Sequence, residues 1–245
     1  MDRMIYLSMS GAKALMQRQD ALAQNLANAG TDGFRADLSA FRAVPIRQAD
    51  AATTRVFSLE ATAGFDATPG AIRQTGSALD IAVRGDGWIA VQGADGSEGY
   101  TRDGGLTIDA EGTLRTKRGQ AVIGDGGPIT VPPNAQVTIG SDGSVSTKVG
   151  SQAAIPAGRI KLVNPPVETL VKGGDGLVRV KGGGEADADP AVRVADGAVE
   201  GSNVNVVESM VGMIEVSRQF EMQMKLMQNA EQNEQRAGQL LAIKG

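Results

Sequence analysis

The stretch QNLANAGTDGFR, Gln24 to Arg35, closes one kind of pattern and opens another. Upstream of it, Ile5, Met9, Ala12, Met16, Gln19, Ala23 and Leu26 recur in alternating steps of four and three, with Leu15 and Leu22 beside the same stripe. Only Gln19 among the seven is polar, so the spacing predicts a helix with a narrow hydrophobic seam of the coiled-coil type, not the broad apolar face of a core helix. At about 1.5 Å per residue such a helix is roughly 38 Å long. Gly30 stands where a left-handed C-terminal cap is expected, and Thr31-Asp32-Gly33 turns the chain away.

The other end of the chain carries a counterpart. From Met213, the positions Val216, Phe220, Met224, Met227, Ala230, Glu234, Ala237 and Leu241 recur with a mean step of about 3.5, and only Glu234 is polar. Asn205 and Glu208 have the spacing of a capping box, with Asn in place of Ser or Thr, so a helix is predicted from near Val206 to near Ile243, with Asn203 and Asn205 at its start. All nine methionines lie in these two terminal segments. Methionine is a flexible filler of apolar contacts, so such seams tolerate several packing geometries. The expectation is a pair of terminal helices too narrow in their apolar faces to be satisfied by each other alone; an ordinary intramolecular helix pair is the plain alternative.

Between the helices the period changes. From about Ala78 to Val194, short β-branched runs such as LDIAV, GWIAVQG, RIKLV and GLVRV alternate with Gly, Asp and Asn turns, the pattern of an antiparallel β module. LTIDAEGTLRTKRG (106–119) aligns without gaps on VTIGSDGSVSTKVG (137–150), with six identities in fourteen, and each copy reads as strand, Gly-centred turn, strand. Residues 35–77 fit neither period and read as an extended connector pinned by Phe41, Phe57 and Phe65, while 181–193 read as an exposed loop. The expected fold is α+β, with N- and C-terminal helices paired as a coiled-coil-like stalk and a central antiparallel β-rich domain. Its divisions are 1–30 for the N-terminal seam helix, 31–77 for the connector, 78–200 for the β-rich domain and 201–245 for the C-terminal seam helix.

Composition removes several functions. The 33 glycines and only eight aromatic residues favour a thin, turn-rich architecture over a core dense in large rings. A net charge of -4, with no basic run longer than two residues, argues against nucleic acid as partner. The absence of both Cys and His removes zinc and thiolate sites, His-based triads and imidazole bases. Ser10 and Lys13 match a bare Ser-x-x-Lys pattern but sit inside the seam helix without companion motifs. GDGG and GGDG lack the Lys-Ser/Thr of a phosphate loop and read as turns, and Glu185, Asp187 and Asp189 lack the spacing of a calcium loop. No catalytic, cofactor-binding or metal-ligating residue is therefore expected. The longest hydrophobic run is four residues, too short to span a bilayer, and polar residues interrupt the first twenty, so no Sec-type cleavage is expected.

NLANAGTDGFR resembles the N-terminal signature of the bacterial flagellar rod and hook proteins. Three further blocks are similar to that family in the same order: GAIRQTGSALDIAVRGDGWIAV (70–91), YTRDGGLTIDAEGTLRTKRGQAVIG (100–124) and GAVEGSNVNVVESMVGMIEVSRQFEMQMKLM (197–227). Trp88-Ile89 departs from the Phe-Phe usual there, a change expected to affect packing and not function. Within the family, the C-terminal block is most similar to the proximal-rod member, with the distal-rod member as the alternative. The resemblance implies a structural subunit of the basal-body rod, not an enzyme, and without cofactors. It further implies assembly in the periplasm with other rod proteins and copies of itself, after passage through the flagellar type III export apparatus without signal cleavage. No nucleic acid and no membrane insertion enter this reading. The expected assembly residues are Leu15, Leu22, Leu26, Met210, Met213, Phe220, Met224 and Met227, and the family's turn is carried by Asn25, Asn28, Gly30, Gly33 and Phe34. From outside this class, an extracellular β-rich carbohydrate-binding module stays open, weakened because the β module offers chiefly Trp88 and Tyr100 as rings for a sugar to stack on.

Overall fold

The computed structural model describes residues 2–45, 56–133 and 135–242. The chain is α+β and divides into two units: Met1–Ala27, Asp37–Gly64 and Asn205–Gly245 form one, Asn28–Ala36 and Phe65–Val204 the other. The first holds helix α1 (Asp2–Ala27), helix α2 (Val206–Ala242) and the strands Asp37–Pro45 and Val56–Phe65, which pair with each other. Ile243 lies outside the described residues, and nothing is described of the side chains of Ile5, Phe41, Phe57, Glu234, Ala237 and Leu241.

α2 starts where its cap dictates. The Asn205 side-chain oxygen accepts from the backbone N–H groups of Val207 at 3.1 Å and Glu208 at 3.2 Å, satisfying two donors that the first helical turn leaves orphaned. α1 ends at Ala27 without a left-handed glycine at Gly30; the glycine with positive φ is Gly33, at +70°. α1 and α2 run antiparallel and side by side, with Gly11 against the Gln223 side chain and Gly212 against Leu22.

The second unit is built of antiparallel β structure with one short 3-10 turn, Val167–Thr169. Its largest sheet has nine strands in the order Leu170–Lys172, Val178–Val180, Glu98–Thr101, Trp88–Gln92, Ala121–Gly124, Leu114–Thr116 and Leu106–Ile108, with Gly127–Pro128 and Leu162–Val163 added to inner strands. Both faces of Trp88–Gln92 are covered, because alternate side chains leave a strand on opposite sides. Ile89 and Val91 join one core cluster with Ile81, Leu114 and Val145, while Trp88 and Ala90 join another with Tyr100, Val163 and Leu170. Trp88 and Ile89 thus pack into two different cores on opposite faces of one strand.

The repeat seen in the sequence is structural. Leu106 pairs with Thr116 and, one period later, Val137 pairs with Thr147; Gly112 and Gly143 hold φ of +83° at matching places in the two turns. The first hairpin lies in the nine-stranded sheet and the second in a three-stranded sheet with Ile155–Arg159.

Tyr100 reports on the second cluster. Its ring is fully buried, its hydroxyl accepts from the Ala186 N–H at 2.6 Å, and burial pushes its pKa up from 10.0 to about 12. The unfolded chain releases this proton first, so stability falls as pH rises from 10 towards 12. Tyrosinate absorbance of a Tyr6→Phe variant, which leaves Tyr100 as the only tyrosine, is expected to rise with a midpoint near 12 while the chain is folded and near 10 once it is denatured. A midpoint near 10 in the folded protein would contradict the burial.

Candidate assembly surface

The side chains of α2 that turn inward are Ser209, Met213, Val216, Phe220, Gln223, Met227 and Ala230, spaced in steps of four and three. On α1 the inward line holds Ser8, Ala12, Leu15, Leu22, Asn25 and Leu26. Ala12 and Leu26 keep the places expected from periodicity, while Ser8, Leu15 and Leu22 stand one position before the expected Met9, Met16 and Ala23. Gly11 makes room for the Gln223 side chain and Gly212 for the Leu22 side chain, and the larger Met9 and Met16 are left at the flank. Met9 and Met16 are 58% and 54% exposed, Gln19 and Ala23 are exposed as well, and Gln223 takes the inward place expected for Met224.

Of the expected assembly residues, Leu15, Leu22, Leu26, Met213, Phe220 and Met227 are partly buried, while Met210 and Met224 are exposed. The structure adds residues that periodicity did not single out. Val207, Val211 and Ile214 are half or more exposed at steps of four and three, and Met222 and Leu226 are open further along the same helix. A second apolar stripe at helical spacing was the available signal, overshadowed by the neighbouring methionine-rich stripe. Burying one such side chain fully is worth about 1.5–3 kcal/mol, so an outer face of this composition is costly to leave in water.

The signature turn divides its labour. In the first unit, Asn25 is buried, and its side-chain amide donates to the Asp37 carbonyl at 2.9 Å and accepts from the Asp37 N–H at 2.7 Å. It behaves as one more strand residue and ties the end of α1 to the first strand. In the second unit, the Asn28 carbonyl accepts from Thr31 N–H at 3.1 Å, and the Asn28 side chain accepts from the Thr31 hydroxyl at 3.2 Å. Gly33 donates its N–H to the Glu200 carbonyl at 2.7 Å, and a Cβ at this position would stand 2.1 Å from the Asp103 nitrogen. Phe34 is buried under Lys172, whose ammonium lies 3.9 Å from the ring centroid and donates to the Arg35 carbonyl.

Asn203, expected at the start of α2 together with Asn205, is spent elsewhere. Its side chain accepts from Ala36 N–H at 2.7 Å and donates to the carbonyls of Asp66 and Thr68, both at 3.0 Å. Beside it lies a buried ionic cluster that sequence reading missed. Glu200 accepts from Arg35 at 2.5 Å, from Arg102 at 2.9 Å and from the Gly70 N–H at 2.7 Å, and all three charged side chains are at least 97% buried. One carboxylate faces two guanidinium groups. The guanidinium carbons of Arg35 and Arg102 lie 5.7 and 5.4 Å from the Trp88 ring centroid, so the ring shares the surplus charge. Burial pushes the Arg102 guanidinium below its ordinary value, against the pull of Glu200.

The comparisons with known proteins cover these same segments. Three family models match: "Flagella basal body rod protein" over residues 5–35, "Flagellar hook protein FlgE/F/G D1 domain" over 82–147 and "Flagellar basal body rod FlgEFG protein C-terminal" over 195–240. The flagellar basal-body rod protein FlgF of Salmonella typhimurium is 44% identical over 99% of this chain and 100% of its own length, and FlgF of Escherichia coli is 44% identical with the same coverage. FlgG of Buchnera aphidicola is 31% identical over 96% of this chain and 98% of its own, which makes a FlgG-like reading the less supported of the two. Full-length identity at this level, together with models matching both helical ends and the β-rich middle, shows that the chain belongs to the flagellar basal-body rod protein family and is a FlgF-like structural member of it.

Proposed function

We propose that this chain is a subunit of the proximal rod that works by helical packing of its terminal helices and passes torque from motor to hook. The observation that carries the reading is the apolar outer face left on the helix pair: Met9, Met16, Val207, Met210, Val211, Ile214, Met222 and Leu226 are each about half exposed or more. Such a face is stabilised when neighbours bury it, and head-to-tail contacts, which join two different surfaces of successive subunits, propagate into a filament where the rotation does not close a ring. In this reading α1 and α2 form a coiled-coil-like stalk. Leu15, Leu22, Leu26, Met213, Phe220 and Met227 hold its seam, and Met210 and Met224 turn towards neighbouring subunits.

The reading keeps residues 31–77 as the connector between stalk and β-rich domain. It takes the neighbours to be other rod proteins and copies of this chain. It places the assembled subunit in the periplasm, reached through the flagellar type III export apparatus without a cleaved signal peptide. Catalysis and cofactors have no part in it. Replacing two outward residues together, Met210→Asp with Ile214→Glu, tests it. Circular dichroism is expected to stay as in the parent chain, because neither side chain fills the space between the helices, while recovery of the variant in purified basal bodies drops at least ten-fold. Incorporation at the parent level would overturn the reading.

A further inference from the structure

Three passages of chain run through one small region of the β-rich unit: residues 31–36, which follow α1; residues 65–70, which follow the second strand; and residues 200–204, which precede α2. Each passage is bonded to the other two. Glu200 takes the Gly33 N–H on its backbone carbonyl, and the Arg35 guanidinium and the Gly70 N–H on its carboxylate. Asn203 takes the Ala36 N–H and gives its two amide protons to the carbonyls of Asp66 and Thr68. Asp66 N–H closes the triangle on the Ala36 carbonyl at 2.8 Å. Arg102, buried just past the end of strand Glu98–Thr101, anchors Glu200 to the β core and donates to the Gly85 carbonyl at 2.8 Å.

We propose that Glu200 and Asn203 form a clamp that fastens these three passages to one another, so that they move as one body and not as three separate linkers. A turn or a linker of this length needs no buried charge. Unpaired, a buried carboxylate is strongly unfavourable, and it persists here because every one of its partners lies on, or anchors, a passage that must be held. Asn203 does the same with an uncharged group: an amide offers one acceptor and two donors, and this one spends them on two different passages. In a shaft, the clamp keeps the points where chain enters and leaves the β-rich unit at fixed spacing under load. That service rests on the rod reading; the geometry of the clamp does not.

Amide hydrogen exchange of the full chain, followed residue by residue by NMR, tests the proposal with Asn203→Ala and with Glu200→Gln. The exchange of Gly33, Ala36, Asp66 and Gly70 is expected to accelerate at least ten-fold more than that of Val91, Leu114 and Val122 in the β core. Asn203→Ala leaves the ionic cluster intact, so it answers even where Glu200→Gln is too unstable to study. Unchanged exchange at the four passage amides, or the same acceleration in passages and core, would overturn the clamp. Incorporation into basal bodies is a separate reading: if the outward-face variants incorporate normally, the rod mechanism fails while the exchange result stands.

Discussion

Replacing Trp88 with alanine is expected to lower the unfolding free energy of the β-rich unit by about 3–5 kcal/mol. Trp88 is 4% exposed, meets Phe65 edge to face at a centroid distance of 5.8 Å, and offers its ring to both buried guanidinium groups. Truncation therefore removes three things together: the transfer energy of the largest side chain in its cluster, an aromatic pair worth about 0.5–1.5 kcal/mol, and the face that shares a charge for which Glu200 alone is not enough. The third loss sets this site apart from an ordinary core cavity, because water entering the gap could hydrate Arg35 and Arg102 but would open the cluster in doing so. Trp88→Phe keeps a ring at the same place and is expected to cost less than about 1.5 kcal/mol. Urea unfolding followed by far-ultraviolet circular dichroism measures both. A loss under 1 kcal/mol for the alanine variant would show that the ring is not what holds the two arginines.

The second large effect lies at Gly33. Gly33→Ala is expected to cost about 3 kcal/mol, from two sources. A non-glycine residue at φ of +70° costs about 1–2 kcal/mol. The added Cβ also meets backbone, at 2.1 Å from the Asp103 nitrogen and 2.2 Å from the Arg102 carbonyl carbon, and buried backbone just after a strand does not swing aside as a side-chain tip can. The Gly33 N–H is bonded to the Glu200 carbonyl, so the turn cannot back away without breaking that bond. Gly30→Ala is the control. Gly30 is outside the positive-φ glycines and has no described atom within 4 Å of an added Cβ, so its substitution is expected to change stability by no more than about 0.5 kcal/mol. Equal effects at the two glycines would contradict this account of the signature turn.

The contrast between these glycines marks what sequence can carry. Helix existence, the start of α2 at Val206 and the two hairpins offset by one period all rest on local signals: periodicity, an asparagine cap and Gly-centred turns. Gly33 and Gly30 differ in backbone conformation and in what lies across from them, and Asp103 is seventy residues away along the chain. The ionic cluster has the same character. Arg35 and Glu200 are 165 residues apart, and neither stands in a pattern that distinguishes a buried ion from a solvated one. Asn203 sits two residues from the true cap, Asn205, so proximity in sequence suggested a shared role that their side chains do not share.

The one-position displacement of the α1 seam has a different cause. Heptad periodicity fixes the stripe's spacing but not its phase when apolar residues stand on both sides, and Met9 and Met16 lie next to Ser8 and Leu15. Gly11 receives the Gln223 side chain and Gly212 the Leu22 side chain, a packing that fixes the phase and leaves two methionines facing out. The outward face on which the rod proposal rests was therefore written in the sequence as a choice between neighbours, and only packing makes the choice.

Those outward methionines also supply the most direct test of the central claim, that the open face of the helix pair is covered by neighbouring subunits. Mild peroxide converts accessible methionine to the sulfoxide, and mass spectrometry reads the extent at each position. In the isolated chain, Met9, Met16, Met210 and Met222 are expected to oxidise readily, because each is about half exposed or more. In intact basal bodies the same four are expected to be protected at least five-fold, with protection lost when the rods are dissociated. Equal oxidation of these methionines in free chain and assembled rod would mean that the face stays open, and assembly through the terminal helices would be contradicted.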